Sequence, residues 1–262
     1  MNFYLHHLMQ VILMIKLECF SSGSVGNFYL ITTTNTNIVL ECGVHCDYIN
    51  QVFNKKNLFY KDINACITSH SHTDHSLSIK HFENYNIDCY CTYETYIKYK
   101  LNNYNQLYDN KIYKINDIQF LSFNVNHGDC ECFGFIFKDK DSLILFITDF
   151  MECRKKLSKF AFNEIYIECN YIEDLWSNNV QDLENENNDD ENKNRKYHRQ
   201  INTHMNLDNL VTHLKKMNLS KCDKITLIHI SKELGNIDKM KNRIIEEFGV
   251  ECFAFLPNGK EI

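Results

Sequence analysis

No stretch of this 262-residue sequence approaches the roughly 20 consecutive apolar residues that span a bilayer, so no transmembrane helix is expected. The first 13 residues are apolar but short. They lack both the basic start and the small-residue cleavage site of an export signal. The expectation is a cytoplasmic protein without membrane attachment, in which 1–13 is an N-terminal extension and 14–262 one folded domain. A surplus of positive charge is missing too. The formal net charge is -6, which excludes a broad basic surface for gripping nucleic acid. A local basic groove is still allowed, because the acidic cluster between Gln181 and Arg195 weighs heavily in the total. Paired Cys-x-x-Cys zinc-ribbon spacing is absent, as is any repeat at a fixed period. The twelve cysteines, in a chain this long with no export signal, read as reduced thiols and not as a disulfide framework.

With 44% apolar residues, the chain can bury one large core. Short β-rich runs punctuated by turn residues predict strands over 15–20, 28–33, 38–42, 63–68, 111–115, 119–125, 134–138, 143–148, 164–168, 224–229 and 251–255. Helical patterns fall over 47–54, 76–85, 93–101, 206–217 and 237–248. Strands in two groups with helices between them imply an α/β sandwich whose sheets are covered by helices on the outside. The Asn-, Asp- and Glu-rich segment 177–196 has too little apolar surface to offset its ordering entropy, and it reads as a disordered or solvated insertion.

The chemistry concentrates in His70-Ser71-His72-Thr73-Asp74-His75, which follows an apolar strand directly. Imidazole and carboxylate groups are ligands for a borderline cation such as Zn²⁺. His70 and His72, two apart in extended chain, point to one side and can grip one ion. Asp74 and His75 lie where the chain turns and can face a second. A merely solvated loop would not explain why the cluster abuts a buried-type strand. His127, Asp149 and His229 each stand at the end of a predicted strand, where a metal can be approached.

These residues carry a resemblance. The chain looks like a hydrolase of the metallo-β-lactamase superfamily, whose recurrent motifs match Glu41, the His70/His72/Asp74/His75 cluster, His127, Asp149 and His229. Within it the chain most resembles the YycJ (WalJ)-type group, on Phe20-Ser21-Ser22-Gly23-Ser24-Val25-Gly26-Asn27, Glu168-Cys169-Asn170-Tyr171, Thr203-His204-Met205-Asn206 and His229-Ile230-Ser231-Lys232-Glu233. The resemblance implies a four-layer αββα sandwich. It also implies two divalent metal ions, zinc first and manganese as the alternative: one on His70, His72 and His127, one on Asp74, His75 and His229, with Asp149 bridging. An aspartate at the bridging position resembles the phosphodiesterase and glyoxalase branches, which makes antibiotic hydrolysis unexpected. Three features depart from the pattern: Glu41 stands where the family has Asp, Thr203 where the group has Gly, and an Asn-rich insertion separates Tyr171 from His204.

Two such ions hold and activate a water between them and neutralise charge on a phosphoryl group in displacement. A leaving alkoxide still needs a proton, and imidazoles titrate near neutrality, so His204 is the candidate general acid with Glu168 as its orienting carboxylate. Asp74, His204 and Glu168 are thus the expected catalytic residues. The function expected is a phosphodiesterase or nuclease, exonuclease-like, with nucleic acid as substrate. The alternatives are a thioester or small-ester hydrolase of the glyoxalase II type and a non-catalytic metal-binding or redox protein, against which the intact ligand set argues. The Ser21–Asn27 loop could bring backbone N–H groups to a phosphate or simply be a tight turn. Cys130-x-Cys132 and Cys89-x-Cys91 read as small buried hydrophobes.

Overall fold

Along β2 (Phe28–Thr32), Tyr29 and Ile31 turn to one side and Phe28 and Leu30 to the other, and all four are buried. That period-two alternation of wholly apolar side chains needs cover on both faces. A computed structural model, which describes residues 15–128, 130–177 and 191–262, shows what covers them. Two sheets lie face to face with helices outside each, the four-layer α/β sandwich expected from the sequence.

The first sheet has the order β1 (Lys16–Ser21), β2, β3 (Asn37–Cys42), β4 (Ala65–Ile67), β5 (Asp88–Cys91) and β6 (Asn105–Gln106). It is antiparallel from β1 to β3 and parallel from β3 to β6. The second sheet runs from β7 (Lys111–Ile115) through β8 (Ile118–His127), β9 (Cys130–Lys138), β10 (Leu143–Ile147), β11 (Glu164–Glu168) and β12 (Lys224–Ile228) to β13 (Glu251–Ala254). Its β7–β10 half is antiparallel and its β10–β13 half parallel.

Between the sheets Tyr29, Ile31, Leu40 and Ile67 meet Phe120, Phe133, Phe135, Phe146 and Tyr166. Outside the first sheet, α1 (Cys46–Lys56), α3 (Ile79–Asn84) and α4 (Tyr93–Tyr99) cover a second core, with Ile49, Val52 and Phe53 of α1 forming its buried stripe. Outside the second sheet, α6 (Leu207–Leu214) buries Leu207, Leu210, Val211 and Leu214, the i, i+3, i+4, i+7 pattern, beside Met240 and Ile244 of α7 (Ile237–Phe248). Each such side chain contributes about 1.5–3 kcal/mol on burial. Asn206 caps α6 by accepting from Asn209 N at 2.8 Å.

Some expectations shift. The helix expected over 76–85 is two pieces, α2 (Thr73–Ser76) and α3, because Ser78 donates from its backbone N–H to Cys42 O (2.9 Å) and from its hydroxyl to Val44 O (2.6 Å), pulling the chain aside. Within 177–196, residues from Glu191 onward belong to helix α5 (Glu191–Thr203) instead of an irregular insertion. Tyr197, packed in one cluster with Tyr171 and Leu234, supplies the apolar anchor. The remainder of that insertion, 178–190, and the N-terminal 1–13 lie outside the described residues. Among the described residues no helix is long and apolar enough to cross a membrane.

Candidate metal centre

The parallel register of β10, β11 and β12 sets Ile147 beside Ile167 and Ile167 beside Leu227, so the strands end together. Asp149, Glu168 and His229 therefore emerge side by side at their carboxyl edge, where open α/β sheets place ligands. Asp149 (φ 22°) and His229 (φ 52°) leave the sheet through left-handed backbone, a conformation uncommon for residues with a Cβ. His127 is the last residue of β8, two residues beyond the predicted strand end, and pairs with Cys130 across the hairpin. From the first sheet, β4 stops at Ile67; His70 follows, His72 caps α2, and Asp74 and His75 lie in its single turn.

The structure brings all seven predicted ligands together. His70 Nε2 is 2.9 Å from His72 Nδ1, which is 3.2 Å from His127 Nε2. Two nitrogens on one tetrahedral zinc, at ~2.0–2.1 Å from it, stand roughly 3.3 Å apart, so this trio has the spacing of an ion's ligand set. The second group pairs His75 Nε2 with Asp74 Oδ2 at 3.6 Å and His229 Nε2 with Asp74 Oδ2 at 3.7 Å. Asp149 reaches both groups, 3.5 Å from His127 Nε2 and 3.2 Å from His75 Nε2. Among the described residues His229 Nε2 is buried without a hydrogen-bond partner, an unsatisfied position that a cation would resolve. The His/Asp clusters thus suit a dinuclear metal site.

The outward nitrogens are held. His127 Nδ1 is 2.7 Å from Thr203 O, Ser69 Oγ is 2.8 Å from His70 Nδ1, and His229 Nδ1 is 2.9 Å from Glu168 Oε1. Such partners fix each ring's tautomer and aim. Glu41, fully buried at φ 58°, accepts from Ser69 N at 3.1 Å and lies 3.5 Å from His75 Nδ1. The longer carboxylate at this position therefore still reaches the histidine loop.

Electrostatics divide the two groups. Burial, followed by the neighbouring imidazoles, pushes His70 well below the usual histidine range; burial and His127 bring His72 down to about 4. Burial lowers His127 too, so all three rings favour the neutral form that a cation needs. Burial also works against charge on His75 and His229, but Asp149 and Asp74 outweigh it: His75 is raised well above its usual range, and His229, with Glu168 adding to the effect, up to about 10. Burial opposes ionisation of Asp149 as well, yet His229 and His75 hold its carboxyl well below the usual range.

Sequence reasoning missed several supports. Glu168 does more than orient His204: besides 2.7 Å to His204 Nδ1, it holds His229 and accepts from Phe150 N (2.9 Å) and Met205 N (3.1 Å). The Ser21–Asn27 loop uses part of its N–H set internally, as a tight turn does: Gly23 N is taken by Asn27 Oδ1 and Gly26 N by Gly23 O. It braces the site: Asn27 N donates to Asp74 O at 2.7 Å, and Ser22 Oγ accepts from His229 N at 3.0 Å. Cys130, read as a buried hydrophobe, is half-buried and offers its sulfur beside His70, His72 and His127. Its place at the hairpin end, opposite His127, was the available signal. Thr203, in place of the group's glycine, packs its methyl over Gly128, where a Cβ would come within 2.6 Å of it.

The family model described as the metallo-beta-lactamase superfamily matches residues 22–138, which contain His70, His72, Asp74, His75 and His127. Over those residues the chain is similar to the metallo-beta-lactamase superfamily. Solved structures share its fold over almost its whole length. The metallo-beta-lactamase fold protein YhfI from Bacillus subtilis gives a TM-score of 0.70 over 95% of this chain and 99% of that one, at 14% identity. A diphosphatase from the PhnP family gives 0.66 over 95% and 97%, also at 14% identity. Igni18, a metallo hydrolase from the hyperthermophilic archaeon Ignicoccus hospitalis, gives 0.65 over 94% and 97% at 9% identity. No curated protein matches the chain in sequence.

Proposed function

We propose that this chain is a two-metal phosphodiesterase of the nuclease type. The observation that carries this reading is the His204–Glu168 pair, 2.7 Å apart, set against the metal-suited cluster, with the His204 ring 5.1 Å from that of His127. Glu168 accepts from Nδ1–H and so leaves His204 Nε2 for a reacting group. A placed acid serves a phosphoester, whose alkoxide leaving group needs a proton, more than a thioester, whose thiolate leaves without one.

The donor set fits two divalent cations, zinc first with manganese as the alternative. His70, His72 and His127 would hold one, Asp74, His75 and His229 the other, with Asp149 between them. When bound, such a pair activates water and neutralises phosphoryl charge. The protein's own part is to aim the imidazoles through Glu41, Ser69, Thr203 and Glu168, and to deliver a proton from His204 Nε2 to the departing oxygen. The YycJ-type motifs around Glu168 and His204 support nucleic acid as the substrate, cleaved exonucleolytically in a cytoplasmic setting. The diphosphatase among the fold relatives is in keeping with phosphoryl chemistry.

The test loads the protein with zinc or manganese. It is then offered bis(p-nitrophenyl) phosphate, single- and double-stranded DNA, duplex RNA and lactoylglutathione. Phosphodiester hydrolysis that disappears in His70→Ala is expected. Turnover of lactoylglutathione alone would replace this reading with the thioester-hydrolase alternative.

A further inference from the structure

Helix α5 brings one more charged group to the mouth of the cluster. Arg199 Nη2 lies 3.3 Å from His72 Nε2, on the side of that ring opposite the nitrogen that faces His70 and His127. Among the described residues no carboxylate pairs with this guanidinium, which is exposed. The helix that carries it is tied to the site by its neighbours. Thr203, four residues on and so on the same face, accepts from His127 Nδ1 through its carbonyl at 2.7 Å and donates from its hydroxyl to Arg199 O at 2.9 Å. The adjacent Gln200 hydrogen-bonds Asn170, whose amide donates to His229 O at 2.8 Å. The helix end is thereby tied to His127 on one side and His229 on the other.

An imidazole that ligates a cation through Nδ1 keeps its one proton on Nε2. His72 Nε2–H and the Arg199 guanidinium then face each other as two donors with no acceptor between them. Nearby, Lys98 Nζ donates to Ser71 O at 2.6 Å and to Thr73 Oγ1 at 3.1 Å, adding positive charge on either side of His72 in sequence. We propose that Arg199 and His72 Nε2–H form an anion subsite at the mouth of the metal centre that binds a non-bridging phosphate oxygen of the substrate. This deepens the phosphodiesterase reading and rests on it for the substrate class. A guanidinium suits the task, because its planar fork matches phosphate oxygens and its charge is permanent.

The test titrates zinc-loaded protein with inorganic phosphate by calorimetry, which needs no turnover. Arg199→Ala is expected to bind phosphate about tenfold more weakly, the loss of one charge-assisted hydrogen bond at an exposed position, with two zinc ions still bound. Arg199→Lys, which keeps the charge and loses the fork, should fall between. Equal phosphate affinity in wild type and Arg199→Ala would overturn the subsite. So would loss of zinc from Arg199→Ala, since the residue would then act on the metal centre itself. If phosphate binding depends on Arg199 yet no phosphodiester is cleaved, the subsite stands and the activity reading falls.

Discussion

Nδ1 of His204 lies 2.7 Å from Oε1 of Glu168, the same oxygen that is 2.9 Å from Nδ1 of His229. One carboxylate oxygen thus orients both the proposed acid and a proposed metal ligand, so the two roles must be separated at the histidines. His204→Ala should slow cleavage of alkyl phosphodiesters by about 10²–10³-fold but that of p-nitrophenyl esters by less than about tenfold, with metal content unchanged. Equal losses for good and poor leaving groups would reject His204 as the acid.

Replacing a ligand in either group should cost one ion, not both. His127→Ala is expected to hold about one zinc where the wild type holds two, because Asp74, His75 and His229 do not depend on it. Metal analysis after gel filtration reads this directly. Two ions retained at unchanged affinity would remove His127 from the ligand set.

Stability of the metal-free protein should depend on alkaline pH. Burial disfavours the charge on His229, but Asp149, Asp74 and Glu168 outweigh it and hold its pKa up at about 10, above the ordinary value of 6.5. A group raised on folding stabilises fully below its ordinary value and loses that contribution as pH rises through the folded one. Asp149, depressed on folding, acts the other way: its contribution is present above its ordinary value of 3.8 and fades as pH falls through the lower folded value. Binding an ion displaces the His229 proton, so metal affinity should climb across the window in which the apo-protein weakens. Melting curves from about pH 6 to pH 10 should show the chelator-treated protein falling while the zinc-loaded one holds. Parallel falls would mean that His229 does not exchange its proton for metal.

Gly43 sits where a Cβ would come within 1.6 Å of Asp74 O and 2.4 Å of His75 N. Gly43→Ala must therefore displace the histidine loop, and strain of this kind costs typically about 1–3 kcal/mol or more. The expected outcome is a lower melting temperature together with weaker zinc binding; wild-type values for both would show that the loop can yield. Ser22→Ala is milder. It leaves the buried N–H of His229 unpaired, for about 1–3 kcal/mol, with the ion at Asp74, His75 and His229 weakened more than the other. Loss confined to the His127 ion would contradict that assignment.

The candidate ligands were readable because each combines a chemically distinctive side chain with a strand end or the loop that follows one, and strand ends are marked by the change from apolar to polar sequence. Helix α7 was equally plain: Asn236 caps it, and Gly249 closes it in left-handed backbone at φ 65°. What escaped is what depends on contacts distant in sequence. Ser78 divides a helix by bonding Cys42 and Val44, which no local pattern records. The polar helix α5 has a disordered-looking composition and is placed by Tyr197, Gln200 and Thr203 through partners far away in the chain. The bracing role of the Ser21–Asn27 loop follows from Asn27 meeting Asp74, a pairing that exists only once β2 and α2 are packed.

The two sheets share ownership of the centre. His70, His72, Asp74 and His75 come from the far end of β4, whereas His127, Asp149 and His229 come from β8, β10 and β12 across the interface. Neither half of the sandwich carries a complete set, so any cation held between them acts as a rivet through the inter-sheet seam. Affinity for metal thereby becomes a gauge of how well the halves have docked, and a mutation among the phenylalanines of that seam can blunt the chemistry without touching a single liganding atom.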